Sequence, residues 1–154
     1  MKLPDKVIEH FQNPQNVGQI ENAEATGSML NPVCGDITEL YLQIKDGVIT
    51  DAKFKSLGCA VTIASASVFT GKIRGMKVLE ILSGRDDEIV SRLVNLIESD
   101  LGELPVAKLH CPPATVQAFL EAIAGYSEKQ ADTEIASRTR RLIPLLASYF
   151  ERKT

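Results

Sequence analysis

The alternation of apolar and polar side chains divides the chain into helical and extended stretches. Val7, Ile8 and Phe11 share one helical face, so residues 4–12 read as a short helix that Pro14 ends. Turn formers dominate residues 13–33: Asn13-Pro14, Asn16, Gly18, Gly27-Ser28 and Asn31-Pro32. That stretch reads as a loop with room for one strand near 24–32. A period of two then takes over. Leu40, Leu42 and Ile44 alternate with Tyr41 and Gln43, Asp46-Gly47 makes a tight turn, and Val48, Ile49, Ala52, Phe54 and Leu57 follow. The pattern predicts a hairpin with strands near 38–45 and 48–57.

After Gly58 the period becomes helical. Ala60 to Arg74 is rich in Ala and Ser, with Ile63, Ser67, Thr70 and Ile73 at helical spacing. Lys77 to Leu82 predicts a second short helix, closed by Ser83-Gly84. Asp86-Asp87-Glu88 open the next, where the helix dipole favours acidic side chains. Ile89, Val90, Leu93, Leu96 and Ile97 form its stripe and Gly102 its end. Residues 103–113 are a connector punctuated by proline. Val116, Phe119, Leu120, Ile123 and Ala124 mark a further helix, which Gly125 is expected to stop. The tail from Ser127 to Thr154 reads as one helix, with Ile135, Leu142, Leu146, Tyr149 and Phe150 on one side and a kink at Pro144. A helix, a small antiparallel sheet and then several helices make an α+β fold.

Composition narrows the function classes. The chain has 154 residues, 44% hydrophobic and 24% charged, as in an ordinary globular domain that needs no disulfide to fold. A net charge of −3 argues against nucleic acid, which usually calls for a basic face. No apolar run is long enough to span a membrane, and Lys2-Leu3-Pro4-Asp5 does not open a secretory signal. A cytoplasmic protein with no membrane contact is expected.

The candidate chemistry lies in Cys34, Cys59 and Cys111. Three thiols cannot pair completely within one chain, and a reducing compartment leaves them free or metal-bound. Separated by 25 and 52 positions, they form no local knuckle, so only the fold can bring them together. Each lies at a boundary. Cys34 falls in the turn Asn31-Pro32-Val33-Cys34-Gly35-Asp36, Cys59 where strand gives way to helix, and Cys111 in His110-Cys111-Pro112-Pro113 ahead of a helix. Helix N-termini favour the thiolate, which is both nucleophile and metal ligand. Taken singly, each cysteine reads as a small hydrophobe, Asp36 as a turn former and His110 as a connector histidine. His10 has no evident partner. A Cys111–His110 catalytic pair is disfavoured because adjacent side chains point apart. Three thiolates with a carboxylate or an imidazole instead read as a tetrahedral set for Zn²⁺ or an iron–sulfur cluster.

Five segments carry a resemblance to a known family. They are Val7-Ile8-Glu9-His10-Phe11 with Asn13-Pro14-Gln15-Asn16-Val17-Gly18, Pro32-Val33-Cys34-Gly35-Asp36, Phe54-Lys55-Ser56-Leu57-Gly58-Cys59, Ile63-Ala64-Ser65-Ala66-Ser67, and Lys108-Leu109-His110-Cys111. In this order they resemble the iron–sulfur cluster assembly scaffolds, the IscU proteins and the N-terminal domain of NifU. The resemblance implies a three-stranded antiparallel sheet with helices packed on one face, here with an extra C-terminal helix. Residues 1–126 would be the scaffold domain and 127–154 a helical extension of it. The protein would be a scaffold and not an enzyme. A cysteine desulfurase would supply sulfur, an iron donor iron, and a transient [2Fe–2S] cluster would pass to acceptor apo-proteins. Its ligands would be Cys34, Cys59 and Cys111, with Asp36 or His110 completing the set; Zn²⁺ can occupy the same residues. Cys111 or Cys34 would accept persulfide.

IscU-type members carry Leu-Pro-Pro-Val-Lys before His-Cys, read by a dedicated Hsp70-type chaperone. Here Leu104-Pro105-Val106-Ala107-Lys108 lacks one proline, which leaves use of that chaperone open. The tail carries +2 against −5 for the rest, through Lys129, Arg138, Arg140, Arg141, Arg152 and Lys153. It reads as a solvated face or a docking surface. Two other functions fit the cysteines: a stable zinc module with a structural Cys₃ site, and a persulfide-accepting sulfurtransferase.

Overall fold

In the computed structural model, which describes residues 2–152, the period-two stretch folds as expected. Met1, Lys153 and Thr154, the outer ends of the expected domain and tail, lie outside the described residues. Asp46 and Gly47 have φ of 52° and 75°, the left-handed pair that a two-residue hairpin turn demands. They join β2 (Ile37–Lys45) to β3 (Val48–Leu57). The strand expected near 24–32 is β1 (Ala25–Leu30), antiparallel to β2, and the sheet order is β1-β2-β3. Gln43 faces Asp51 while Ile44 faces Ile49, so Thr50 is an extra residue in a bulge. The bulge lets Ile49 and Ala52, three positions apart, both enter the core.

Helices cover the sheet face that carries Leu40, Leu42, Ile44 and Phe54. They are α1 (Asp5–Gln12), α2 (Ala60–Ile73), α3 (Val78–Ile81), α4 (Asp86–Leu101), α5 (Cys111–Lys129), α6 (Thr133–Leu142) and α7 (Ala147–Phe150). Three-residue and four-residue 3₁₀ turns occupy Val106–Lys108 and Ile143–Leu146. α5 lies over β1 and β2, and α2 packs against β3, α4 and α5. Phe69 of α2 meets Phe119 of α5 edge to face at 5.2 Å, an arrangement that contributes about 0.5–1.5 kcal/mol beyond burial. Gly27 sets how close β1 and α5 can come, because a Cβ there would collide with the Ala118 carbonyl oxygen and the Ala122 nitrogen. No helix among the described residues is long and apolar enough to cross a membrane.

Several expectations need correction. α5 starts at Cys111, before the two prolines, because a helix's first turn needs no N–H from them. It also runs through Gly125, where burial of Ile123, Ala124 and Ser127 outweighs the roughly 1 kcal/mol that glycine costs a helix. The tail is not one helix. Ala131 takes φ 58°, and Asp132 then caps α6 by accepting the Ile135 N–H at 3.1 Å. Pro144 sits in a 3₁₀ turn rather than kinking a continuous helix. Leu57 is 75% exposed at the end of β3, outside the core. His10 does find partners: Nδ1 lies 2.7 Å from Ser67 Oγ and Nε2 3.7 Å from Asp100, tying α1 to α2 and α4. The tail arginines turn onto their own domain. Arg138 donates to the Gly84 carbonyl, Arg140 pairs with Glu121 and Glu128, and Arg141 pairs with Asp86.

Candidate functional site

The β1–β2 loop is built around Asn31, whose backbone N–H donates to the Asp36 carbonyl at 2.8 Å. Its side-chain Oδ1 accepts the Val33 N–H at 2.9 Å, and its carbonyl accepts the Gly35 N–H at 2.9 Å. Gly35, at φ 80°, makes the reversal that leaves Cys34 exposed at the tip. The Asp36 N–H donates to Cys34 Sγ at 3.4 Å.

From that loop Asp36 reaches the start of α2. Its Oδ2 accepts the Cys59 N–H at 3.1 Å and the Thr62 hydroxyl at 2.7 Å. The approach depends on Gly58, where a Cβ would stand 2.5 Å from Asp36 Oδ2. These two hydrogen bonds hold the Asp36 carboxyl below its ordinary value. Desolvation is the largest single influence and opposes them, but Thr62 and Cys59 together prevail.

Cys59 is the N-cap of α2 and Cys111 the first residue of α5. Their Sγ atoms lie 3.9 Å apart, a hydrogen-bonding distance between thiols and far from a disulfide. The thiol of Cys111, with no exposed surface, donates to Cys59. That bond is the main cause holding Cys59 well below an ordinary thiol; burial opposes it, and Thr62 and the charge of Lys108 assist. Cys111 is pushed up by donating the same bond and then by burial. The two shifts run in opposite directions, so Cys59 is the sulfur of the pair that gives up its proton more readily. Cys34 is pushed up by partial desolvation first, and the charges of Asp36 and Cys59 act the same way.

His110 is buried, and its Nδ1 lies 2.9 Å from Asn31 Nδ2, which also donates to the His110 carbonyl at 3.2 Å. Since Val33 fixes Asn31 Oδ1, the amide nitrogen faces the ring, and Nδ1 accepts while Nε2 carries the proton. The expected divergence of His110 and Cys111 is corrected here. The helical conformation of His110 (φ −79°, ψ −11°) brings Nδ1 to 3.9 Å from Cys111 Sγ.

All five residues singled out in the sequence thus fall in one file of contacts: Cys34 to Asp36, Asp36 to Cys59, Cys59 to Cys111, Cys111 to His110. Among the described residues no three Cys, His, Asp or Glu side chains already close on one point as a metal cage. Chemically the set fits iron or zinc, with three soft sulfur donors and one carboxylate. Two further residues are integral to it. Thr62, 1% exposed, bridges Asp36 and Cys59, and Asn31, 2% exposed, fixes both the Cys34 loop and the His110 ring. Their sequence signals were slight: a threonine in the first turn of a helix and an asparagine before proline.

Known proteins resemble the chain in sequence and in fold. The chain is 41% identical over 125 residues to the iron–sulfur cluster assembly scaffold protein IscU 1 of Archaeoglobus fulgidus, covering 81% of this chain and 76% of that one. It is 37% identical to the iron–sulfur cluster assembly scaffold protein IscU of Haemophilus influenzae, over 84% of this chain and 99% of that one. A crystal structure of a hypothetical protein is similar in fold over 96% of each chain, with a TM-score of 0.50 and 25% identity. The family model described as the NifU-like N terminal domain matches residues 2–133, which hold every cysteine with Asp36 and His110, and the chain belongs to that family.

Proposed function

We propose that this protein is a scaffold on which an iron–sulfur cluster is assembled and from which it is handed on. One observation carries the reading. Three cysteines from three separate connections gather at one end of the sheet, two already in contact at 3.9 Å and the third exposed beside Asp36. Cys34, Cys59 and Cys111 would bind the cluster, with Asp36 or His110 as the fourth donor. A [2Fe–2S] cluster suits four such donors.

The exposure of the thiols orders the steps. Cys34 is within reach of a cysteine desulfurase, whereas Cys111 has no exposed surface. Cys34, after losing its proton to the solvent that reaches it, attacks the outer sulfur of the enzyme's persulfide; an S–S bond breaks and another forms, and the enzyme's cysteine leaves as a thiolate. Each sulfur so delivered needs two electrons from an outside donor to become sulfide. Iron from a donor protein meets Cys59 before Cys111, since Cys59 is the partly exposed cysteine of the pair. Release to an acceptor is favoured because the fourth donor is a carboxylate or an imidazole, not a fourth thiolate, and because Cys34 sits on a solvent-facing tip. These steps belong in a reducing cytoplasm.

The test is anaerobic reconstitution with ferrous iron, sulfide and reductant, followed by absorption and Mössbauer spectroscopy. Cys34→Ser, Cys59→Ser and Cys111→Ser should each abolish the cluster. A variant that retains full cluster absorbance removes that residue from the ligand set, and a wild type that gathers none refutes the scaffold reading.

A further inference from the structure

The corner that carries His110 and Cys111 is held from the C-terminal tail. Leu109 precedes the N-cap His110, so its carbonyl lies outside the hydrogen-bond ladder of α5. The Leu109 carbonyl, half-buried beneath the start of α5, is instead met by Arg152, whose Nη2 donates to it at 2.7 Å. The rest of that guanidinium is also committed. Nη1 donates to both carboxylate oxygens of Glu98 on α4, at 2.8 and 3.1 Å, and Nε donates to the Tyr149 carbonyl at 3.2 Å. The guanidinium carbon lies 5.1 Å from the centre of the Tyr149 ring. Arg152 and Glu98 keep only 26% and 22% of their side-chain surface exposed. Arg140 and Arg141 of the same tail pair instead with Glu121, Glu128 and Asp86.

We infer that Arg152 is a positioning residue for the thiol site. It donates to the Leu109 carbonyl and fastens the His110–Cys111 corner to α4, so that Cys111 stays buried against Cys59. The matched family span ends at residue 133, so this clasp comes from a segment beyond it. Its bearing on cluster handling rests on the scaffold reading; its effect on Cys111 does not.

The experiment measures alkylation of each cysteine by iodoacetamide, read by peptide mass spectrometry on the metal-free full chain. Exposed Cys34 serves as the internal reference. Arg152→Gln keeps polarity but loses the fork, and should speed Cys111 alkylation about tenfold relative to Cys34, the scale of one lost hydrogen bond. Arg141→Gln, which breaks a tail ion pair elsewhere, should leave that ratio unchanged. An unchanged ratio in Arg152→Gln overturns the inference. Glu98→Gln, a milder change to the same clasp, should raise the ratio in the same direction, and covers the case in which Arg152→Gln does not fold. In parallel, cobalt(II) is titrated and its thiolate charge-transfer band recorded. A wild type without that band counts against the metal reading alone, while the alkylation ratios still decide the role of Arg152.

Discussion

Placing a methyl group on Gly58 tests whether Asp36 is held as the structure describes. That Cβ would stand 2.5 Å from Asp36 Oδ2 and 2.6 Å from its Cγ, well inside contact distance, so the carboxylate must leave. Leaving breaks its bonds to the Cys59 N–H and the Thr62 hydroxyl. A buried hydrogen bond to a charged group is worth about 1.5–3 kcal/mol. Asp36 is only half-buried, and water replaces part of what is lost. A net loss of about 1–2 kcal/mol follows, the size of a removed helix cap. For a domain of this length that lowers the Tm by about 2–8 °C. The assay is thermal melting by circular dichroism, in reductant and without metal, of the wild type, Gly58→Ala, Asp36→Ala and the double variant. Both substitutions remove the same contacts, so the double variant should melt with Asp36→Ala alone. Additive losses, or a Gly58→Ala melt equal to wild type, would refute the reasoning.

The same carboxylate predicts a dependence on acid. Its folded pKa lies below the ordinary 3.8, so the stability it contributes is complete above that value and is lost as pH falls through the folded pKa. The stability gap between wild type and Asp36→Asn, from urea unfolding across the acid range, should therefore close on acidification; a widening gap would contradict the direction. Gly27→Ala sets a methyl against the backbone of α5, which cannot step aside as a side chain can, and should cost about 1–3 kcal/mol in the same assay. Wild-type stability in that variant would mean that β1 and α5 are not so closely packed.

The sheet was legible because its signals are local. Alternation at Leu40, Leu42 and Ile44 and the dipeptide Asp46-Gly47 each act within a few residues, and both are realised. Helix ends were less so. Gly125 breaks helices by intrinsic preference, and tertiary burial overrides that preference within α5. The cysteines were visible as boundary residues, whereas Thr62 and Asn31 were not. Thr62 acts through Asp36, 26 positions away, and Asn31 through His110, 79 away, and hydrogen bonds at that separation leave no periodic trace. The bond from Arg152 to the Leu109 carbonyl, 43 positions away, is hidden for the same reason.

The wide spacing of the cysteines itself follows from the topology. In an antiparallel sheet of order β1-β2-β3, the last residue of β1, the first of β2 and the last of β3 form one row: Leu30 faces Ile37, and Ile37 faces Leu57. Cys34 lies on the loop between the first two and Cys59 just past the third, so the 24 residues between them are a hairpin's journey out and back. The next 52 residues are a helical excursion through α2, α3 and α4, which returns the chain to the same end at the start of α5. A knuckle with two ligands on one short loop would move those ligands together. Here each sulfur belongs to a separate connection: a glycine-turned loop, the N-terminus of α2, and a corner clasped by Arg152. One ligand can therefore yield while the others hold, and on the scaffold reading that independence is what stepwise loading and release require.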